Sequence, residues 1–218
     1  MGTLHFAQHI CGMETENENS IQHCDDLINI IICGAPGSGK GTQSDLIIKK
    51  YNLKHISSGD ILRKEIEKGT KLGKEIDNVI SKGQLVEDEI ITKLVETEID
   101  SLDKKLYKGI ILDGYPRTLS QAKELEKIFR KRGTCMNVLI YLQVEEEELI
   151  SRLLNRGKTS GRSDDNLETI QKRLIVYENQ TKPVVDFYKS IGKYANIHGT
   201  GSLDEIFERV SAAIDKAV

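Results

Sequence analysis

The segment Gly34-Ala35-Pro36-Gly37-Ser38-Gly39-Lys40-Gly41-Thr42 constrains this chain more than any other feature. It follows the apolar run Ile28–Cys33 and opens a stretch of helical periodicity over residues 40–51. An apolar run closed by glycine and followed by a helix is how a buried parallel strand and its crossover read. The glycines let consecutive backbone N–H groups turn inward around phosphate oxygens, and the helix N-terminus adds positive potential. Lys40 would reach the outer phosphates of a nucleoside triphosphate. The general pattern GxxxxGK[ST] is met imperfectly, because Gly41 fills the hydroxyl slot and Thr42 comes one residue later. Gly37, Ser38, Gly39, Lys40, Gly41 and Thr42 thus become candidate ATP or GTP ligands, with the fate of the phosphate still open.

The same strand-to-helix unit recurs. Residues 109–112 run into Asp113-Gly114-Tyr115-Pro116 and a helix over 118–132, and residues 136–144 run into four glutamates that open another helix. Acids suit a helix N-terminus, so that run is read as capping and solvation. Short strands are expected at 54–57 and 194–198, and helices in several pieces over 60–101, then over 166–191 and 202–217. Strands alternating with helices argue for an α/β fold, a parallel sheet with helices on both faces.

Composition narrows the partners. Of 218 residues, 31 are Lys or Arg and 34 Asp or Glu, for a net charge of −3. No global basic field is available for nucleic acid or an anionic membrane, and Ile28–Cys33 is far below the roughly 20 residues of a membrane-spanning helix. Cys11, Cys24, Cys33 and Cys135 form no CxxC pair and read as reduced thiols, which fits a cytoplasmic protein. Residues 1–26 differ from the rest. No Lys or Arg precedes Lys40, and residues 14–26 are acidic and Asn-rich, so a disordered extension is expected. His5, His9, Cys11, His23 and Cys24 lack a paired-cysteine metal signature, and Phe6 stands where an N-myristoylation pattern needs Ser or Thr.

Five segments together resemble the nucleoside monophosphate kinase family over about residues 27–218. They are the GxPGxGKGT form of the Gly-rich turn, Ser57-Ser58-Gly59-Asp60-Ile61-Leu62-Arg63, Lys82-Gly83-Gln84-Leu85-Val86, Asp113-Gly114-Tyr115-Pro116-Arg117, and Arg156-Gly157 through Gly161-Arg162-Ser163-Asp164-Asp165-Asn166. The resemblance implies a P-loop NTPase-type three-layer α/β/α sandwich on a five-stranded parallel sheet. A helical monophosphate-binding insertion would occupy 57–86 and a short lid 156–166. It implies transfer of the ATP γ-phosphoryl group to AMP, giving two ADP, in a monomer that uses Mg2+ held mainly by phosphates and water with Asp113 nearby. Phosphoryl transfer is dominated by alignment and charge stabilisation, which suits separated arginines better than a strong base.

By resemblance, Arg63 and Arg117 hold the AMP phosphate, Arg156, Arg162 and Arg173 close over the transferring group, and Arg152 and Gly201 hold the donor. Ser58, Gln84, Leu85, Val86, Gly114, Tyr115, Pro116 and Gln121 complete the acceptor site, and Asp164 and Asp165 orient the lid. Each has a plainer reading: Arg152, Arg156 and Arg173 as surface charges in i,i+4 pairs, Asp113, Asp164 and Asp165 as helix caps, Gln121 as an exposed helix-start amide. Gln121 carries the choice of acceptor, since an amide matches the donor–acceptor pair of adenine. UMP-CMP kinases share the framework and remain the rival, as does GTP as donor. No cysteine falls in the lid, so no structural zinc is expected.

Overall fold

A computed structural model describes residues 26–160 and 164–218. The expected extension, apart from Asp26, therefore lies outside the described residues, as do Gly161 and Arg162. Five strands form one parallel sheet: β1 (Ile28–Cys33), β2 (Lys54–Ser57), β3 (Gly109–Asp113), β4 (Val138–Gln143) and β5 (Tyr194–His198), in the order β2-β3-β1-β4-β5. The register pairs Ile30 with Ile111 on one side of β1 and with Val138 on the other. The fold class expected from the sequence is the one observed.

Both faces of the sheet are covered, and side-chain alternation along the strands divides the core. Ile31, Ile110, Leu112 and Leu139 point to a layer formed by α4 (Asp88–Asp100), α5 (Leu119–Lys131) and α8 (Lys182–Ser190). Ile30, Ile32, Ile111, Ile140 and Leu142 point to the opposite layer, α1 (Lys40–Tyr51) and α9 (Leu203–Ala217). Each fully buried aliphatic side chain contributes about 1.5–3 kcal/mol, so this double burial is what fixes the sheet. Asn29 is the polar exception in β1. Its amide donates to Thr134 Oγ1 at 2.7 Å and to the Cys135 carbonyl at 2.8 Å, tying down the loop ahead of β4.

Two short helices, α2 (Ser58–Glu67) and α3 (Lys71–Ile80), fill the span between β2 and α4. The glutamates after β4 open α6 (Glu146–Ser160), where three of them sit in the first turn as expected. One expectation needs correcting. Residues 166–191 form α7 (Leu167–Val176), a π-helical turn at Tyr177–Thr181, and α8, rather than one regular helix. Pro183 lies at the start of α8 and has no N–H to give the preceding turn, which accounts for the widened segment.

Candidate active site

A cavity of about 630 Å3 opens at the carboxyl ends of the strands, where α/β sheets place their ligands. The Gly-rich turn after β1 forms one wall. Gly37 and Gly39 hold φ of 87° and 92°, in the left-handed region that glycine tolerates. Gly39 caps α1 with no side-chain hydrogen bond, and the first turn of α1 carries no acid. The helix therefore presents its unpaired N–H groups to the cavity. Lys40 Nζ donates to the carbonyls of Gly34 at 2.8 Å and Ala35 at 3.0 Å. Desolvation by the surrounding protein lowers its pKa to about 8, against the opposing charge of Asp113. Ser38 is buried behind this wall rather than lining it.

The opposite wall comes from α2, the 83–86 loop, and the start of α5. Ser58 Oγ donates to the Gly114 carbonyl at 2.6 Å, and Arg117 Nε donates to that same oxygen at 2.7 Å. Gly114 has φ of 73°, and a Cβ there would lie 2.7 Å from Ser58 Oγ and 2.9 Å from Arg117 Nη2. Any other residue would push apart the group that seats Arg117. Burial lowers the Arg117 pKa, and the nearby Arg173 adds to the effect. Two cations are thus held near one another, which favours an anion between them. Arg63 pairs with Asp60 at the cavity edge, and Gln84, Leu85 and Val86 line it.

The third side is formed by α6 and by residues 164–173. Arg156 makes a bidentate pair with Asp165, Nε donating to Oδ2 and Nη2 to Oδ1, both at 2.7 Å. Arg173 Nη1 meets Asp164 Oδ2 at 2.7 Å and Asp165 Oδ1 at 3.1 Å. Capping of α7 falls to Asn166, which accepts from Thr169 N at 3.0 Å, so the aspartates are not helix caps. Gly157 lies within α6, and a Cβ there would come 2.7 Å from the Asp165 carbonyl. It permits close return of the chain. Arg152 donates to the carbonyls of Gly199 at 3.1 Å and Ser38 at 3.5 Å, beside the Gly-rich turn.

Lys40, Arg63, Asp113, Arg117, Gln121, Arg152, Arg156, Asp164 and Arg173 all line this one cavity. Asp165 stands behind its arginines, and Arg162 lies outside the described residues. Tyr115 and Pro116, expected beside the acceptor, do not line it. Tyr115 is 1% exposed, with its hydroxyl 3.0 Å from Thr92 Oγ1, and burial pushes its pKa up to about 12. An aromatic ring at this position gains more from the core than from a polar cleft. Gly201 is also off the cavity, at the start of α9, where Ser202 and Glu205 form a capping box. Gln121 is not an exposed amide. It is buried, and both of its polar ends are bonded.

Sequence reasoning missed His55 and Asp88. His55 lines the cavity with Nε2 3.7 Å from Asp113 Oδ2. Burial opposes its charge, but the nearby Asp113 carboxylate prevails and raises its pKa. Its signal was only its place on the short strand that leads into Ser57-Ser58-Gly59. Asp88 had none, because an acid in a first helical turn reads as dipole complementation.

Comparison with known proteins agrees with the architecture. The adenylate kinase family model matches residues 32–193. The chain is 56% identical to an adenylate kinase of Parabacteroides distasonis over 189 residues, 87% of this chain and 98% of the relative. It is 52% identical to an adenylate kinase of Phocaeicola vulgatus over 190 residues, 87% of this chain and all of that relative. A Bacteroides fragilis adenylate kinase is 50% identical over 189 residues, 87% of this chain and 99% of its own length. With a family model spanning most of the sheet and relatives at least half identical along nearly their whole length, the chain belongs to the adenylate kinase family.

Proposed function

We propose that the protein catalyses ATP + AMP ⇌ 2 ADP with Mg2+, as a cytoplasmic monomer. One observation carries this reading: a single cavity has backbone amides and Lys40 at one end, an apolar–amide base wall at the other, and arginines between them. In this account the turn 37–42 grips the ATP polyphosphate, with Arg152 beside the donor. Ser58, Arg63, Gln84, Leu85, Val86, Gly114, Arg117 and Gln121 hold AMP. Arg117, Arg156, Arg162 and Arg173 gather charge on the transferring phosphoryl group, since each planar guanidinium can meet two oxygens. Residues 57–86 act as the acceptor-binding unit and 156–166 as a lid that excludes water, which would otherwise compete as acceptor.

The donor atoms present suit Mg2+. Asp113 and Thr42 offer hard oxygens in the cavity, and among the described residues no three His, Cys, Asp or Glu side chains gather into a metal cage. An ion held chiefly by phosphates and water, with Asp113 behind that water, fits such a set. When bound it would neutralise charge between the outer phosphates. Cys33 is a buried free thiol, which supports a reducing compartment. No helix among the described residues is long and apolar enough to cross a membrane.

The test is a coupled assay with ATP or GTP as donor and AMP, UMP, CMP or GMP as acceptor. Rapid turnover with ATP and AMP alone is expected. A preference for UMP or CMP would overturn the acceptor assignment.

A further inference from the structure

Asp88 lies at the first turn of α4, directly after the 84–86 loop, and does not line the cavity. Its carboxylate nevertheless reaches the α5 start with both oxygens. Oδ1 accepts from Gln121 Nε2 at 2.6 Å, and Oδ2 accepts from Thr118 Oγ1 at 2.8 Å. Thr118 Oγ1 in turn accepts from the Gln121 backbone N–H at 3.1 Å as the cap of α5. On its other side, Gln121 Oε1 accepts from the Arg117 backbone N–H at 2.7 Å.

This arrangement leaves the Gln121 amide one possible orientation. A carboxylate can only accept and a backbone N–H can only donate, so Nε2 must face Asp88 and Oε1 must face Arg117. Turning the amide over would set oxygen against carboxylate and N–H against N–H, leaving buried polar groups unpaired. One N–H and one lone pair remain for a ligand. That pattern matches the N1 acceptor and N6 donor of adenine, and opposes the N1–H donor and O6 acceptor of hypoxanthine and guanine. The turned-over amide would match the latter.

We propose that Asp88 is a specificity-positioning residue: by locking the orientation of Gln121, it makes the acceptor site read 6-aminopurine and reject 6-oxopurine monophosphates. This inference rests on the AMP-kinase reading above. A plainer role, tethering α4 to α5, would use the same bonds but would not act on base selection.

Asp88→Asn separates the two. The amide introduced by that substitution can offer Gln121 either its carbonyl or its amino group, and Thr118 can pair with whichever end is left. The turned-over Gln121 is then bonded on the side of residue 88 and opposed only by the Arg117 N–H, where in the wild type both sides oppose it. The measurement is kcat/KM for AMP and for IMP with ATP as donor, together with the melting temperature. The AMP:IMP ratio is expected to fall about ten- to hundredfold, within the range of one bidentate base contact, with the change lying in KM. A folded Asp88→Asn protein that kept the wild-type ratio would overturn the inference. If that variant does not fold, Asp88→Ala, which removes the constraint on the Nε2 side and leaves only the Arg117 N–H, is judged by the same ratio. If a folded variant turns over neither nucleotide, the ratio of calorimetric dissociation constants for AMP and IMP decides in the same way. Failure of the wild-type protein to phosphorylate AMP would instead sink the functional reading itself.

Discussion

The two ends of the cavity are built by different means. At the Gly-rich end the ligand-facing groups are mostly backbone amides, set by left-handed glycines and an uncapped helix start, and all lie within residues 34–42. At the acceptor end they are side chains from α2, the 83–86 loop and the α5 start. Those side chains are held by one another: Ser58 and Arg117 on the Gly114 carbonyl, and Gln121 on Asp88. The first kind of site is local in sequence and, in the function proposed above, would grip any polyphosphate. The second is dispersed and has the donor–acceptor detail needed to choose a base.

The sharpest break of this contrast removes one cation from each end. Lys40→Met and Arg117→Ala should each lower kcat at least about a thousandfold, each tenfold being roughly 1.4 kcal/mol of transition-state stabilisation. Circular dichroism should be unchanged, and near-wild-type turnover in either variant would cancel its assigned role. Gly114→Ala comes next. The added Cβ strains φ and separates Ser58 from Arg117, so kcat/KM for AMP should drop about a hundredfold, with roughly 1–3 kcal/mol lost in urea unfolding. ATP binding should survive, and a loss of both would show that the two ends are not separable.

A pH profile sharpens the donor end. The proposed role of Lys40 needs its cation, and its pKa is lowered to about 8, so the charge is lost as pH rises through that value. The kcat/KM for ATP should then fall roughly tenfold per pH unit above the bend, and the bend should move to higher pH once phosphate is bound. Asp165→Asn tests the lid. It leaves Arg156 and Arg173 with a weaker partner and should cost about 2 kcal/mol and about tenfold in kcat, read by thermal melts and initial rates. The smallest effect is expected for Tyr115→Phe, which removes one hydrogen bond to Thr92 and should cost about 1 kcal/mol with little change in KM for AMP. A large KM change would return Tyr115 to the binding site.

The elements themselves were legible where a pattern is local. β1 and α1 fall where the apolar run and the helical period put them, and Asp113 ends β3 as expected. The π-helical turn was not legible, since Pro183 alone does not say whether a helix stops, kinks or widens. In the acceptor site, the resemblance brought Arg63, Arg117 and Gln121 to one cavity but misjudged Tyr115. A run of adjacent motif residues does not say which of them turns inward. Asp164 and Asp165 carried two readings, and Asn166 took the capping one.

What the sequence determined by itself was the backbone chemistry. Buried parallel strands, the Gly-rich turn and the family follow from residue order, because neighbours along the chain create them. What only the tertiary structure decided was how polar side chains are shared across long separations. Asp88 meets Gln121, and Arg173 meets Asp164, only after the helices have packed. Each such group must find a partner once water is excluded, and which partner it finds depends on packing, not on its place in the chain.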